Sequence, residues 1–168
     1  KLESQKEINA EKVELKDVAE EVKDSLAGIA DRKKIAVTVE GDGCVFMERE
    51  HAVELVKNLV ENGIRYGNDG GYVKVKISHA IGETVLSVED NGIGIEEKHL
   101  GRICERFYRV NKSRSRESGG TGLGLAIVKH VCAIYEAKLD ITSEFGEGTT
   151  VTVTFFKSKM PHAATGQE

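Results

Sequence analysis

Cysteine is scarce in this chain, and its few cysteines are not spaced as metal ligands. The 168 residues include only Cys44, Cys104 and Cys132, with no Cys-x-x-Cys motif. This usage is typical of proteins from a reducing compartment, in which cysteines serve as small apolar residues. We therefore expect no cysteine-based metal site.

Long apolar runs and a strong charge excess are also lacking. No stretch approaches the length of a membrane-spanning helix, and no segment has the pattern from which we would expect a signal peptide. The formal net charge of −4 gives no indication of a nucleic-acid partner. With 39% hydrophobic and 31% charged residues, the composition indicates a single globular domain. The chain begins with Lys1, so we interpret it as a piece of a longer protein.

Glycine, by contrast, is concentrated in residues 118–129 (SGGTGLGLAIVK), which continue into an apolar helical pattern. Backbone N–H groups of a glycine loop and of a helix N-terminus can together hold an anion such as a phosphate. A loop that only caps a core helix would show the same local pattern. The lysine of a Walker P-loop and the third glycine of a dinucleotide-binding motif are missing, so other residues would have to complete a phosphate site.

Hydrophobic periodicity predicts helices alternating with pairs of strands. Helices are expected within residues 1–34, at 48–66 and from the glycine segment to about Tyr135. Strand pairs are expected at 35–40 with 44–47, at 72–79 with 84–90, and at 138–143 with 149–156. We expect the first of these pairs to be a hairpin. This order predicts a two-layer sandwich with a mixed, mainly antiparallel sheet.

Three further stretches are predicted to be less regular. Residues 1–10 have few apolar positions and are interpreted as the stub of a preceding element. Residues 96–120 are predicted to form a short helix and then a mobile loop, with no apolar anchor over about 110–119. Residues 157–168 are predicted to be a disordered tail.

Polar residues on the second helix share one face. Asn58, Asn62 and Arg65 are four and three residues apart. Amide oxygens are hard ligands that suit Mg²⁺, and an arginine suits phosphate oxygens. Taken alone, however, the three residues fit a solvated polar face better.

Asp90 is in phase with Leu86 and Val88, so its carboxylate is predicted to point toward the core. A carboxylate there is costly without a partner. It could cap the turn through Gly92 and Gly94, or it could accept a hydrogen bond from an exocyclic amine such as that of adenine.

Taken together, these segments resemble the ordered motifs of the sensor histidine kinases over roughly residues 10–156. The matching motifs are the N box at 58–66 (NLVENGIRY), the first glycine box at 90–94 (DNGIG), the F box at 105–109 (ERFYR), the second glycine box at 120–125 (GTGLGL) and a last glycine motif at 148–150 (GTT).

The resemblance is to the catalytic and ATP-binding domain of two-component kinases, within the group that includes topoisomerase and chaperone ATPases. It implies the Bergerat fold, an α+β two-layer sandwich. A mixed, mainly antiparallel sheet of about five strands would be covered on one face by three helices, with a flexible ATP lid. Residues 11–156 would form this domain.

The resemblance also assigns roles to residues. Asn62 is implied as the Mg²⁺ ligand, Asn58 lies beside the phosphates, Asp90 takes the adenine amine, and Arg109 approaches the γ-phosphate; Asn58 and Arg109 are the implied catalytic residues. The remaining implied nucleotide-binding residues are Arg65, Tyr66, Gly92, Gly94, Ile95, Phe107, Tyr108, Gly120, Thr121, Gly122, Leu123, Gly124, Leu125 and Thr149. Gly63 and Gly67 stand where the family more often has alanine and threonine, which predicts a looser helix end.

The implied activity is transfer of the γ-phosphoryl group of ATP, bound with Mg²⁺, to a histidine on a dimerisation domain. None of the five histidines here has the sequence context of that phosphoacceptor. The implied partners are the dimerisation domain and a response regulator. The implied location is a cytoplasmic domain of a protein anchored in the bacterial inner membrane, and we expect the piece itself to be monomeric.

Two alternatives stay open. An ATP hydrolase of the topoisomerase or chaperone kind would need a glutamate base at the Asn58 position to activate water. A non-catalytic nucleotide-sensing module would need no intact F box.

Overall fold

The computed structural model of the chain describes residues 7–105 and 124–161. Its strands are β1 (Glu11–Glu14), β2 (Ala36–Gly41), β3 (Cys44–Met47), β4 (Tyr72–Ala80), β5 (Glu83–Asp90), β6 (Lys138–Glu144) and β7 (Gly148–Phe156). Its helices are α1 (Leu15–Ser25), α2 (Ala27–Arg32), α3 (Arg49–Arg65), α4 (Glu97–Leu100) and α5 (Gly124–Ile134), followed after β7 by a 3-10 turn (Lys157–Lys159).

A five-stranded sheet with the order β2-β4-β5-β7-β6 forms the centre of the molecule. β2 pairs with β4 in parallel, and the other neighbours are antiparallel, so the predicted mixed, mainly antiparallel sheet is confirmed. Alternate residues of the middle strands are buried, which leaves one face for the core and one for solvent. On β4, β5 and β7 the buried residues are Val73, Val75, Ile77, Thr84, Leu86, Val88, Val151, Val153 and Phe155.

Helices α1, α3 and α5 cover the buried face, with α3 packed against both α1 and α5. A helix was expected within residues 1–34, and α1 lies there with Leu15, Val18 and Val22 almost fully buried. The predicted second helix agrees with α3 to within one residue at each end. The architecture is therefore the α+β sandwich expected from the sequence.

The expected hairpin of β2 with β3 is wrong. β3 pairs instead with β1, a four-residue strand in a stretch predicted to be helical, and the two form a separate antiparallel sheet. The predicted glycine turn does connect β2 and β3, but the two strands belong to different sheets. At Gly41, whose φ is +86°, a Cβ would lie 1.9 Å from the carbonyl oxygen of Ile77, so only glycine lets this strand end lie against β4.

Ordered structure continues beyond residue 156, into the stretch predicted to be a disordered tail. After the 3-10 turn, Met160 packs against the core, and its Sδ atom accepts a hydrogen bond from the N–H of Phe46 at 3.2 Å. Over the part of the chain that the structure describes, no helix is long and apolar enough to cross a membrane.

Candidate functional site

Asp90 ends β5 beside the turn 91–95, and its carboxylate is partly buried. Its Oδ1 atom accepts a hydrogen bond from the N–H of Gly92 at 2.9 Å, which is the turn-capping role foreseen from the sequence. Burial raises the pKa of Asp90 to about 6, although hydrogen bonds from the backbone N–H groups of Gly92 and Thr149 favour the charged form. The fold thus holds a carboxylate where water can stabilise it only partly.

The turn after Asp90 lies against the C-terminal end of α3. The N–H of Ile93 donates to the carbonyl oxygen of Tyr66 at 3.1 Å. A Cβ on Gly92 would lie 2.4 Å from that same oxygen, so the turn can approach the helix end only with glycine there. Asp90, Gly92 and Tyr66 therefore lie next to one another, as expected if their motifs form one site.

The asparagines of α3 meet the start of α5. A Cβ on Gly124 would lie 3.3 Å from Oδ1 of Asn62 and 3.4 Å from Oδ1 of Asn58, so both amide oxygens converge on this glycine. The Nδ2 group of Asn58 donates to the carbonyl oxygen of Glu54 at 2.7 Å. This hydrogen bond orients the amide so that its oxygen faces α5. The shared helical face predicted for the two asparagines is confirmed.

Arg65 is engaged elsewhere on the same helix. Its Nε and Nη2 atoms donate to Oε2 of Glu61 at 2.8 and 2.6 Å, an ion pair one helical turn away. The implied contact of Arg65 with phosphate would have to compete with this ion pair, which the four-residue spacing of Glu61 and Arg65 on one helix permits.

Gly63 joins the two halves of the site. A Cβ there would lie 3.0 and 3.3 Å from the methyl carbons of Val73 and 3.6 Å from the Cβ of Asp90. The glycine thus lets α3 lie close to β4 and β5, and it places Asn62 one residue away from the contact with Asp90.

At the end of α3, Lys33 donates from Nζ to the carbonyl oxygens of Ile64 and Arg65 at 3.0 and 2.9 Å, so two terminal acceptors are satisfied.

Sequence reasoning missed Ser143 on β6. Its Oγ atom accepts a hydrogen bond from the N–H of Ile95 at 2.8 Å and lies 2.9 Å from the carbonyl oxygen of Gly148 and 2.7 Å from Oγ1 of Thr149. A signal did exist, because Ser143 stands opposite Thr149 once the last two strands are paired. Ile95 and Thr149, both implied in nucleotide binding, are therefore linked through a residue outside the motifs.

The remaining implied residues divide into two groups. Gly94 has a φ of +75° and packs against β6, where a Cβ would lie 2.2 Å from the carbonyl oxygen of Glu144, and Leu125 packs against the core from α5. The predicted lid at about 110–119 lies outside the described residues, as do Phe107, Tyr108, Arg109, Gly120, Thr121, Gly122 and Leu123.

Metal ligands of the usual kind are not grouped here. Across residues 7–105 and 124–161, no three His, Cys, Asp or Glu side chains lie together so that they could hold a metal ion. The oxygen donors that do converge are the amides of Asn58 and Asn62 beside Gly124. Neutral oxygen donors fit Mg²⁺ that is bound mainly through a substrate's phosphates.

The fold is thus an α+β sandwich in which a partly buried carboxylate, Asp90, lies at the end of α3 and two amides, Asn58 and Asn62, meet the start of α5. The model of the histidine kinase-, DNA gyrase B- and HSP90-like ATPases matches residues 47–159. The chain belongs to this family and is an ATP-binding domain.

Curated relatives are sensor kinases. The phosphate regulon sensor protein PhoR of Pseudomonas aeruginosa is 46% identical over 106 residues, which are 63% of this chain and 24% of that protein. The sensor histidine kinase YkoH of Bacillus subtilis is 33% identical over 149 residues, 89% of this chain and 32% of that protein. The chain thus spans about a quarter to a third of these relatives.

A solved structure shares the fold. The histidine kinase ThkA, in complex with the response regulator protein TrrA, matches with a TM-score of 0.72 and 19% identity, over 89% of this chain and 42% of that one. At this identity the likeness concerns the fold, and it confirms the predicted architecture.

Proposed function

We propose that this chain is the ATP-binding catalytic domain of a sensor histidine kinase, which transfers the γ-phosphoryl group of ATP to a histidine on a dimerisation domain. The observation that carries the proposal is the adjacency of two sites along α3. Gly63 faces Asp90, whose Cβ would lie 3.6 Å from an added Cβ, and the neighbouring Asn62 meets Gly124 at the start of α5. A base site and a phosphate site therefore lie within one helical turn.

Asp90 provides the base site. Its carboxylate would accept a hydrogen bond from the exocyclic amine of adenine, beside the turn 91–95, which Gly92 and Gly94 allow to pack closely against Tyr66 and Glu144. The two backbone N–H groups that already bond the carboxylate fix its orientation before the nucleotide arrives. Such a fixed, partly dehydrated acceptor discriminates against purines that lack the amine, because the carboxylate would then lose water without gaining a donor.

The phosphate site lies between α3 and α5. The amide oxygen of Asn62 is the group that would hold Mg²⁺, and that of Asn58 would lie beside the phosphates, whose charge the bound ion would neutralise. Backbone N–H groups at the start of α5 favour phosphate oxygens. Arg109, which lies outside the described residues, is assigned to the γ-phosphate by its motif.

Transfer to histidine is favoured over hydrolysis by the identity of residue 58. An asparagine amide cannot accept a proton from water, whereas the hydrolase relatives need a carboxylate base at that position. The Nδ2 group of Asn58 is also held by the carbonyl oxygen of Glu54. The protein's contribution is therefore positioning and charge neutralisation rather than proton abstraction.

The remaining parts of the proposal follow from the relatives. A response regulator would receive the phosphoryl group from the dimerisation domain, in keeping with the ThkA–TrrA complex. Residues 11–156 would form the catalytic domain, extended by the turn after β7, and residues 1–10 would lead from the dimerisation helices. The domain would be cytoplasmic and monomeric when isolated, in a parent protein anchored in the inner membrane.

Radiolabelled ATP with Mg²⁺ tests the proposal when the dimerisation hairpin of the parent protein is supplied separately. Acid-labile label is expected on the hairpin and not on this chain. Transfer should be slow, because the tether that raises the effective concentration is cut. Arg109→Ala should reduce transfer far more than ATP binding, since its charge acts as charge develops on the γ-phosphoryl group. Rapid ATP turnover without the hairpin, or label on a histidine of this chain, would contradict the proposal.

A further inference from the structure

The hydroxyl of Ser143 joins three segments that border the proposed base site. It accepts from the N–H of Ile95 at 2.8 Å, and it lies 2.9 Å from the carbonyl oxygen of Gly148 and 2.7 Å from Oγ1 of Thr149. A hydroxyl has one donor and two acceptor sites. Donation to Gly148 with acceptance from Ile95 and from the Thr149 hydroxyl uses all of them.

Further contacts hold the same segments together. The N–H of Gly146 donates to the carbonyl oxygen of Ile93 at 2.7 Å, so the β6–β7 turn contacts the turn after Asp90, whose Ile93 N–H bonds the end of α3. Gly94 lies against the carbonyl oxygen of Glu144. The turn 91–95 is therefore held by the end of α3 and by the β6–β7 hairpin. The Ser143 side chain supports the contact with the hairpin, because it bonds Ile95 of the turn as well as Gly148 and Thr149.

The start of β7 in turn holds Asp90. Thr149 stands opposite Asp90 in the sheet, and its N–H is a hydrogen-bond donor to the carboxylate. Gly148 is so close that a Cβ would lie 2.1 Å from the carbonyl oxygen of Asp90. A small shift of Gly148 or Thr149 would therefore change the direction of the carboxylate.

We propose that Ser143 is a positioning residue for base recognition, which fixes the start of β7 and the turn 91–95 so that the Asp90 carboxylate faces the exocyclic amine of adenine. This rests on the proposed role of Asp90. A serine that only stabilised the hairpin would affect the folding of the protein, but once the chain was folded it would not alter the choice between purines.

The test compares ADP with inosine diphosphate, which carries an oxygen in place of the amine, by calorimetric titration of the full chain with Mg²⁺. The unmodified chain should prefer ADP by about tenfold or more, the value of one good hydrogen bond to a charged group. Ser143→Ala should reduce that preference by about threefold or more, mainly through weaker ADP binding. Ser143→Thr keeps the hydroxyl and should retain the preference.

Thr142→Ala is the matched control, because Thr142 is the exposed neighbour on the same strand; its preference should be that of the unmodified chain. If Ser143→Ala does not fold, Ser143→Cys, with a weaker hydrogen-bonding group, is judged by the same ratio. An unchanged preference in either folded variant would overturn the role of Ser143 and leave that of Asp90 intact. No preference in the unmodified chain would overturn both.

Discussion

Asp90 combines a structural and a proposed binding role in one carboxylate. Burial raises its pKa to about 6, while the N–H groups of Gly92 and Thr149 hold it in place. The ionised carboxylate is a stronger acceptor for the adenine amine than the neutral acid, so base recognition should weaken as pH falls through the pKa of the free protein.

The affinity for ADP should therefore fall at low pH. Above about pH 6 the carboxylate is ionised and binding is at its maximum; below it each pH unit costs about tenfold in affinity. We expect the advantage of the unmodified chain over Asp90→Asn to shrink by about tenfold from pH 7 to about pH 5. Because the variant experiences the same titration of the nucleotide, the ratio isolates residue 90. A ratio that is constant over this range would mean that the carboxylate does not contact the base.

Asn62 should be needed for the metal and not for the base. Asn62→Ala removes an amide oxygen that converges on Gly124, so Mg²⁺ should no longer tighten ATP binding, while adenosine should bind as before. Titrations with and without Mg²⁺ measure the effect. Asn68→Ala, which removes an exposed amide with one hydrogen bond of 3.3 Å, is the control. Equal Mg²⁺ dependence in Asn62→Ala and the unmodified chain would remove Asn62 from the site.

At the scale of elements, the turn 91–95 depends on close approach to β6. Gly94 and Gly82 both have a positive φ, +75° and +83°. At Gly94 a Cβ would lie 2.2 Å from the carbonyl oxygen of Glu144, whereas at Gly82 it would meet nothing within 4 Å. Each Gly→Ala change should cost about 1–2 kcal/mol for the left-handed backbone. Gly94→Ala should cost at least about 2 kcal/mol more, because backbone atoms must move apart. Urea unfolding compares the two, and similar losses would show that the contact is not rigid.

The sequence predicted which segments form elements better than it predicted which strands pair. The burial periodicity of α3 and β5 is local, and both were placed to within one residue. The turn at Gly41 suggested a hairpin, but the partners of β2 and β3 are chosen by contacts with β4 and β1, which lie about thirty residues away along the chain. β1 has a single buried residue, Val13, so its alternation was too short to detect.

The candidate site shows the same division. Asn58 and Asn62 share a face because helical geometry fixes their spacing, and Asp90 is oriented by strand alternation. The bond between Ser143 and Ile95 joins segments 48 residues apart, so periodicity could not show it. The ion pair of Arg65 with Glu61 fits helical spacing, but its formation depends on the rotamers of both side chains.

For the molecule as a whole, β1, α1 and β2 pack into the same fold although the family model matches only residues 47–159. Val13 on β1 is 2% exposed and belongs to the main core. Nearby, Oε2 of Glu48 accepts from the N–H of Asn9 at 3.0 Å, and the N–H of Glu48 donates to the hydroxyl of Tyr135 at 3.0 Å. The N-terminal segment, the start of α3 and the end of α5 are thereby connected.

Val13→Ala should therefore lower the free energy of unfolding by roughly 1–3 kcal/mol, because it leaves a cavity between β1 and the core. Lys12→Ala on the exposed side of the same strand should change it by less than about 0.5 kcal/mol. Chemical denaturation measures both. Equal, small effects would indicate that β1 is not part of the cooperative unit.

Calorimetric titration with ADP tests the assignment of Asp90 as the base-binding residue most directly. Asp90→Asn keeps the shape but turns an amide donor toward the adenine amine, so the affinity should fall roughly ten- to a hundredfold. Asp140 is an exposed carboxylate on β6, so the Asp140→Asn variant should bind ADP as the unmodified chain does. A folded Asp90→Asn variant that binds ADP with unchanged affinity would contradict the assignment.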